Sequence, residues 1–479
     1  MKNLIFIFLL VPFCITISYA QSIGINQSGT PPDPSALLDV NSTTKGVLIT
    51  RMTTTQRNAI TLPAAGLLVF DLDKSTIYLF DGQKWQPMLF ANSDINNPPI
   101  SRSTSDGSAS DKFGISVSIS GDYAIIGAYL DDIGSNTDQG SAYIFTRQNG
   151  GWAEQAKLIA SDGTAGDNFG TSVSIDGDYV IVGSPKGSGS WFLQGAAYIF
   201  IRNGSSWVQQ AKLNSSDGVI GESFGTSVCI NGDNAIIGNP TATVLYANQG
   251  AAYIFLRSGT IWSQQAKLTF ANGQYNDHFG SSVGISEASA IVGAPDFDWF
   301  NPNQGAAFIF VRTGSTWTQQ DRLMPVDGAQ DDNFGASVTI NIDNALIGAP
   351  NDDGVFANQG CAYIFARNGA TWTQKIKLIP ANTQLNANFG SSVNIFGDYA
   401  IVGAPYEDNL SSTYHTKEGV IYIYHYTATG WDLLRSVKDG SGQSSGFFGT
   451  SVAGSGYNYI IGSAGKNNSK GEVSYLNIE

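Results

Sequence analysis

Phe279-Gly-Ser-Ser-Val-Gly-Ile285, Ala290-Ile-Val-Gly-Ala-Pro295, Gly305-Ala-Ala-Phe-Ile-Phe-Val-Arg312 and Trp317-Thr-Gln-Gln-Asp-Arg-Leu323 are four short apolar runs separated by turn residues. Each reads as a strand, and together they read as one four-stranded antiparallel unit. The opening Phe-Gly pair recurs at Phe113, Phe169, Phe224, Phe279, Phe334, Phe389 and Phe448, in steps of 56, 55, 55, 55, 55 and 59 residues. A fixed period of this length means that each unit buries its faces by stacking on copies of itself. Seven copies of four strands predict an all-β ring of seven blades.

The turns support this reading. Strands 1 and 2 are joined by Ser120-Gly-Asp122, Asp176-Gly-Asp178, Asn231-Gly-Asp233 and Phe396-Gly-Asp398, where glycine supplies the positive φ of a tight hairpin. A serine stands two places after every Phe-Gly, from Ser116 to Ser451. It is expected to bond neighbouring backbone rather than line a channel. Trp152, Trp207, Trp262, Trp317, Trp372 and Trp431 each precede the next Phe-Gly phenylalanine by 17 residues and are expected to pack between blades. The seventh copy ends after three strands. Residues near Ile100 to Ser105 are therefore expected to pair with Gly471 to Ile478 and close the ring, with Trp85 to Leu89 as the rival strand.

These motifs resemble FG-GAP repeats, the blades of the seven-bladed β-propeller of integrin α-subunits and of many exported bacterial proteins. The likeness spans residues 100–479 and includes Gly-Ala-Pro at 293–295, 348–350 and 403–405. It implies a seven-bladed propeller of four-stranded blades with a binding or adhesion role. Integrin-type blades often hold Ca2+ in an Asp-rich loop between strands 1 and 2, but here those linkers are too short to wrap an ion. No cofactor is expected from them. Asp296, Asp298, Asn301 and Asn303, in a 2–3 loop, are the remaining candidate cation ligands.

Residues 1–20 read as a secretory signal cleaved after Ala20: Lys2, an apolar stretch from Leu4 to Ile17, then Ser18-Tyr19-Ala20. Lipidation at Cys14 is disfavoured by bulky Phe13. The chain is expected to be secreted or held at the cell surface, without a membrane span. Residues 21–90 form a small, mostly β module, with a hairpin at Leu67 to Phe70 and Ile77 to Phe80 after a Thr-rich, short-helical stretch. It resembles N-terminal segments of Bacteroidetes exported proteins, sometimes likened to tail fibres. Residues 91–99 are a linker. Cys229 and Cys361 fall at different repeat positions and are expected to be small buried side chains, not a disulfide.

A net charge of −14 argues against nucleic acid as a partner, because a phosphate backbone requires a basic face. In a propeller of this order, loops 2–3 and 4–1 share one face. That face collects Asp131, Asp132, Asp167, Asp296, Asp298, Asp331, Asp332, Asp352, Asp353, Glu407 and Asp408. Arg147, Arg202, Arg257, Arg312 and Arg367 close strand 3 on the opposite side, so a charge-polarised disc is expected. Trp191 and Phe192, Tyr246, Trp299 and Phe300, and Tyr406 lie in the 2–3 loops, with Phe297, Phe356 and Tyr414 in the same class. Exposed rings beside acids and amides suit a glycan or protein ligand, whereas buried rings would only pack loops together. His278, His415 and His425 carry no metal or nucleophile spacing, and His278 is expected to be exposed. The leading expectation is a non-enzymatic binding protein. A polysaccharide hydrolase or lyase using loop carboxylates, and a purely structural repeat, are the alternatives.

Overall fold

A computed structural model of the chain describes residues 23–26, 38–42, 47–73, 76–80, 82–87, 99–148, 151–380, 384–408, 417–427, 430–439 and 444–477. The expected leader, most of the linker, Tyr414 and His415 lie outside the described residues. Chain contacts separate two units, Met1–Ala91 and Asn92–Glu479.

In the first unit, Ile23–Asn26 and Leu38–Asn41 pair in parallel. A second, mixed sheet runs in the order Arg51–Met52, Leu68–Asp71, Thr76–Phe80, Trp85–Pro87. The Thr-rich stretch forms the helix Thr54–Asn58, started by a capping box between Thr53 and Gln56. Arg57 packs its guanidinium 3.6 Å from the Tyr78 ring centroid and 3.2 Å from the fully buried Asp71 carboxylate. Trp85 is thereby used inside this sheet, edge-on to Phe80 at 5.3 Å. It does not close the ring.

The second unit is seven four-stranded antiparallel sheets. Blade 4 is representative: Ser282–Ser286, Ser289–Ala294, Ala306–Thr313 and Thr316–Leu323. The first strands of successive blades adjoin, and that of blade 7 (Ser451–Ser455) adjoins that of blade 1 (Val117–Ser120). The ring is completed as the sequence predicts, by Ile100–Arg102 pairing with Glu472–Asn477. Around this seam Trp152 stacks on Tyr475 at 4.5 Å, and its carbonyl accepts a hydrogen bond from Arg102 Nε at 3.0 Å.

Each Phe-Gly pair precedes strand 1 rather than lying within it. Phe279 is fully buried and bridges to Gly250 of the blade before. Gly280 has φ +98, and a Cβ there would meet Ala251 O at 2.4 Å, so a side chain is excluded by both conformation and space. All seven serines donate their hydroxyls to the carbonyl of the next blade's Phe-Gly glycine, at 2.7–2.9 Å, ending with Ser451 to Gly114. A Cβ on the strand-2 glycines (Gly127, Gly183, Gly238, Gly293, Gly348, Gly403 and Gly462) would stand 1.9–2.2 Å from those same carbonyls. Strand-4 tryptophans bridge blades, with Trp207, Trp262, Trp317 and Trp372 donating Nε1–H to Gln155, Gln210, Gln265 and Gln320. Cys229 and Cys361 are unpaired in different blades.

Candidate functional site

The 2–3 and 4–1 loops do share a face: Lys212 Nζ bridges Asp162, in a 4–1 loop, and the carbonyl of Ser188, in a 2–3 loop. Four of the 4–1 loops are anchored through three columns of the repeat. In blades 1, 2, 3 and 5 a strand-3 tyrosine hydroxyl and a strand-4 lysine converge on one loop aspartate. The sets are Tyr143, Lys157 and Asp106; Tyr198, Lys212 and Asp162; Tyr253, Lys267 and Asp217; and Tyr363, Lys377 and Asp327, with distances of 2.6–3.0 Å. Burial opposes ionisation of these aspartates, yet the lysine and tyrosine hold all four below the usual range.

Several acids assigned to this face from sequence are interior. Asp131, Asp167, Asp332, Asp352 and Glu407 are buried. Asp131 and Asp352 bond Lys157 and Lys377, while Asp167 and Asp332 accept backbone N–H groups of Thr164 and Ala329. The opposite side is also neutralised. Arg147, Arg202, Arg257 and Arg367 pair with Asp122, Asp178, Asp233 and Asp343 of their own hairpin turns, and Arg312 donates to Asn234. The expected charge polarisation of the disc is therefore much weaker than a residue count implies.

Asp132, Asp298, Asp331 and Asp353 stay exposed on the loop face, and alongside them it presents apolar side chains. Trp191 is 54% exposed, Phe192 67%, Trp299 46% and Phe300 83%. Leu245, Tyr246, Val355, Phe356 and Tyr406 are exposed as well. Tyr246 leans on exposed Tyr275 of the adjacent 4–1 loop at 4.7 Å. Tyr406 meets Phe447 at 5.2 Å and lines a cavity with Gln384, Leu385, Asn386, Asp408 and Lys417. Among the described 2–3 loop rings named above, Phe297 is the exception, buried against Phe270 and Phe308.

The proposed cation ligands are each engaged in hydrogen bonds of their own. Asp296 is 2.6 Å from His278 Nδ1 and accepts Asn333 Nδ2 at 2.8 Å. Asp298 accepts the Asn303 N–H, Asn303 Nδ2 donates to Asp331, and Asn301 Nδ2 donates to Gly328 O. Among the described residues no group of three or more His, Cys, Asp or Glu side chains is placed to hold a metal ion. His278 is half-buried, not exposed, and begins a chain that continues from Asp296 through Asn333 and Asn351 (2.6 Å) to Asn388 (2.9 Å) across blades 4 to 6. The sequence hides this chain because its members come from two different repeat columns, the residue before each Phe-Gly and the third residue after each strand-2 glycine.

Two buried acids make stability depend on pH. Burial raises Glu407 to about 7 although Tyr422 donates to its carboxylate at 2.8 Å, and burial lifts Asp277 to about 6. Both bind a proton more tightly folded than unfolded, so stability falls as pH rises from the ordinary carboxylate range to about 7 and stays lower above it. The Glu407 share is about 3 kcal/mol at most. The thermal midpoint is expected to be higher at pH 5 than at pH 8, and Glu407→Gln to raise it at pH 8 with little effect at pH 5. A midpoint lowered at pH 8 by that substitution would contradict the assignment.

Residues 103–145, 152–200, 207–255, 262–310, 317–365 and 372–424 match the FG-GAP repeat, which covers more than half of the chain. The chain belongs to the FG-GAP repeat family. Its seventh FG-GAP blade falls outside the matched segments, and that is the blade whose fourth strand comes from the other end of the chain. Residues 24–101 match the phage tail like trimerisation region, which points to self-association. None of the curated proteins matches the chain.

Proposed function

We propose that this FG-GAP protein is an exported, non-enzymatic binding protein, gathered into trimers by its N-terminal region, that uses the loop face of each propeller to engage a glycan or a protein. The observation carrying this reading is the run of exposed rings on rigid blades: Trp191 and Phe192, Tyr246, Trp299 and Phe300, Phe356 and Tyr406. Solvated aromatic side chains of this number on one face are a cost unless a ligand covers them. The repeat holds their backbone in place, so little ordering is lost on binding. The leader-like residues 1–20 support export, and the family match over residues 24–101 supports self-association.

Glycan-array and surface-proteome capture by the full chain, repeated with Trp191→Ala and Trp299→Ala, tests the assignment. Each substitution is expected to weaken capture by about tenfold or more, the usual cost of truncating a central aromatic anchor. Undiminished capture by both variants would remove the loop face from consideration. Turnover of a polysaccharide abolished by a single Asp→Asn change would replace binding with catalysis.

A further inference from the structure

Blade 4 departs from the Tyr–Asp–Lys anchor at all three columns together. Phe308 stands for the tyrosine, Asn272 for the aspartate and Arg322 for the lysine. Phe270, Phe297 and Phe308 fill the space as a ring cluster, with Phe270 stacked on Phe308 at 4.4 Å. Arg322 is left with no ion-pair partner among the described residues. Its guanidinium lies 3.8 Å from the Trp299 ring centroid and 5.6 Å from that of Phe297, and Phe300 stands 5.7 Å from Trp299. The lysines at 157, 212, 267 and 377 are each satisfied by carboxylates. Arg322 alone in this column keeps a planar, bidentate donor facing an exposed indole.

We propose that Arg322, Trp299 and Phe300 form a subsite for the carboxylate of an acidic sugar, a specificity that rests on the loop face being the ligand face. A guanidinium pairs with a carboxylate through two parallel N–H···O bonds. Arg322 covers one face of the Trp299 indole, and Phe300, 83% exposed and edge-on to Trp299, supplies a flat apolar floor matched to the C–H face of a pyranose ring. An acidic peptide would use the charge but not the floor. Burial also lowers the Arg322 pKa, with no neighbouring carboxylate acting against it, so an incoming anion relieves an uncompensated desolvation.

The test is calorimetric titration of the full chain with tri-galacturonate, with its neutral methyl ester, and with hexaglutamate. Tri-galacturonate is expected to bind at least about tenfold more tightly than either of the others, and Arg322→Gln and Trp299→Ala each to weaken it by about tenfold or more. Ile261→Ala, an exposed side chain beside a 3–4 turn on the opposite face, should leave this titration unchanged. Arg322→Lys, which installs the residue of four other blades, should also weaken binding and serves if Arg322→Gln does not fold. Equal affinity of Arg322→Gln and the unaltered chain, equal binding of the methyl ester, absent binding of tri-galacturonate, or tighter binding of hexaglutamate would each overturn the proposal. If capture on the array still depends on Trp191, the loop face stands and only the acidic-sugar subsite falls.

Discussion

Replacing Gly293 by alanine is expected to destabilise the propeller by about 3 kcal/mol or more, whereas Gly232→Ala should cost about 1 kcal/mol. The added Cβ at 293 would stand 2.0 Å from Gly335 O and 2.3 Å from Ser282 Oγ. Those two atoms already bond one another at 2.7 Å, so the methyl group must push neighbouring backbones apart and break a partly buried hydrogen bond as well. Gly293 does not have a positive φ, and the cost is therefore steric alone. Gly232 is the reverse case, with φ +59 and no heavy atom within 4 Å of a Cβ. Paired urea or thermal unfolding of the two variants separates the effects. A Gly293→Ala protein no less stable than Gly232→Ala would mean that the blades do not pack at this glycine as described.

Removing residues 1–91 is expected to convert trimers to monomers and to weaken attachment to a densely coated surface by about 10²–10⁴-fold, while single-site affinity in solution is unchanged. The propeller keeps its closing strand in such a chain, because Ile100–Arg102 belongs to the second unit. Light scattering reads the mass, and surface plasmon resonance at high and low coating density with the glycan or protein recovered from the array reads the avidity. Dissociation that does not depend on coating density for the full chain, or a full chain of monomer mass, would defeat the trimer reading. A shifted single-site affinity would instead mean that the first unit contributes to the site itself.

The blades were legible from sequence because their constraints repeat. Phe-Gly, the following serine and the strand-2 glycine each appear seven times, and each has one inter-blade job. The seam at Ile100–Arg102 was legible from the missing fourth strand of blade 7. Charge was misread because aspartates of one composition serve two ends: Asp353 is exposed, while Asp352 beside it is buried against Lys377 and Tyr363. Whether a loop acid faces water depends on partners contributed by strands tens of residues away. The Arg322 subsite had a readable signal. Tyr, Asp and Lys columns all change at blade 4, and joint loss of three interacting partners marks a position released from its scaffold duty.

The ring seam also sets an order in time. Ser101 meets Ser474, and Ser451 bonds Gly114, across separations of 373 and 337 residues. The strand that latches the circle is made among the first residues of the propeller and must wait for almost the last. Each earlier blade can zip locally as it emerges, but blade 7 keeps an unpaired edge until Glu472–Asn477 meets Ile100–Arg102, and long-range pairing of this kind is slow. A chain stalled or clipped before Glu472 would therefore be an open arc with sticky strand edges at both ends, prone to join its neighbours instead of itself.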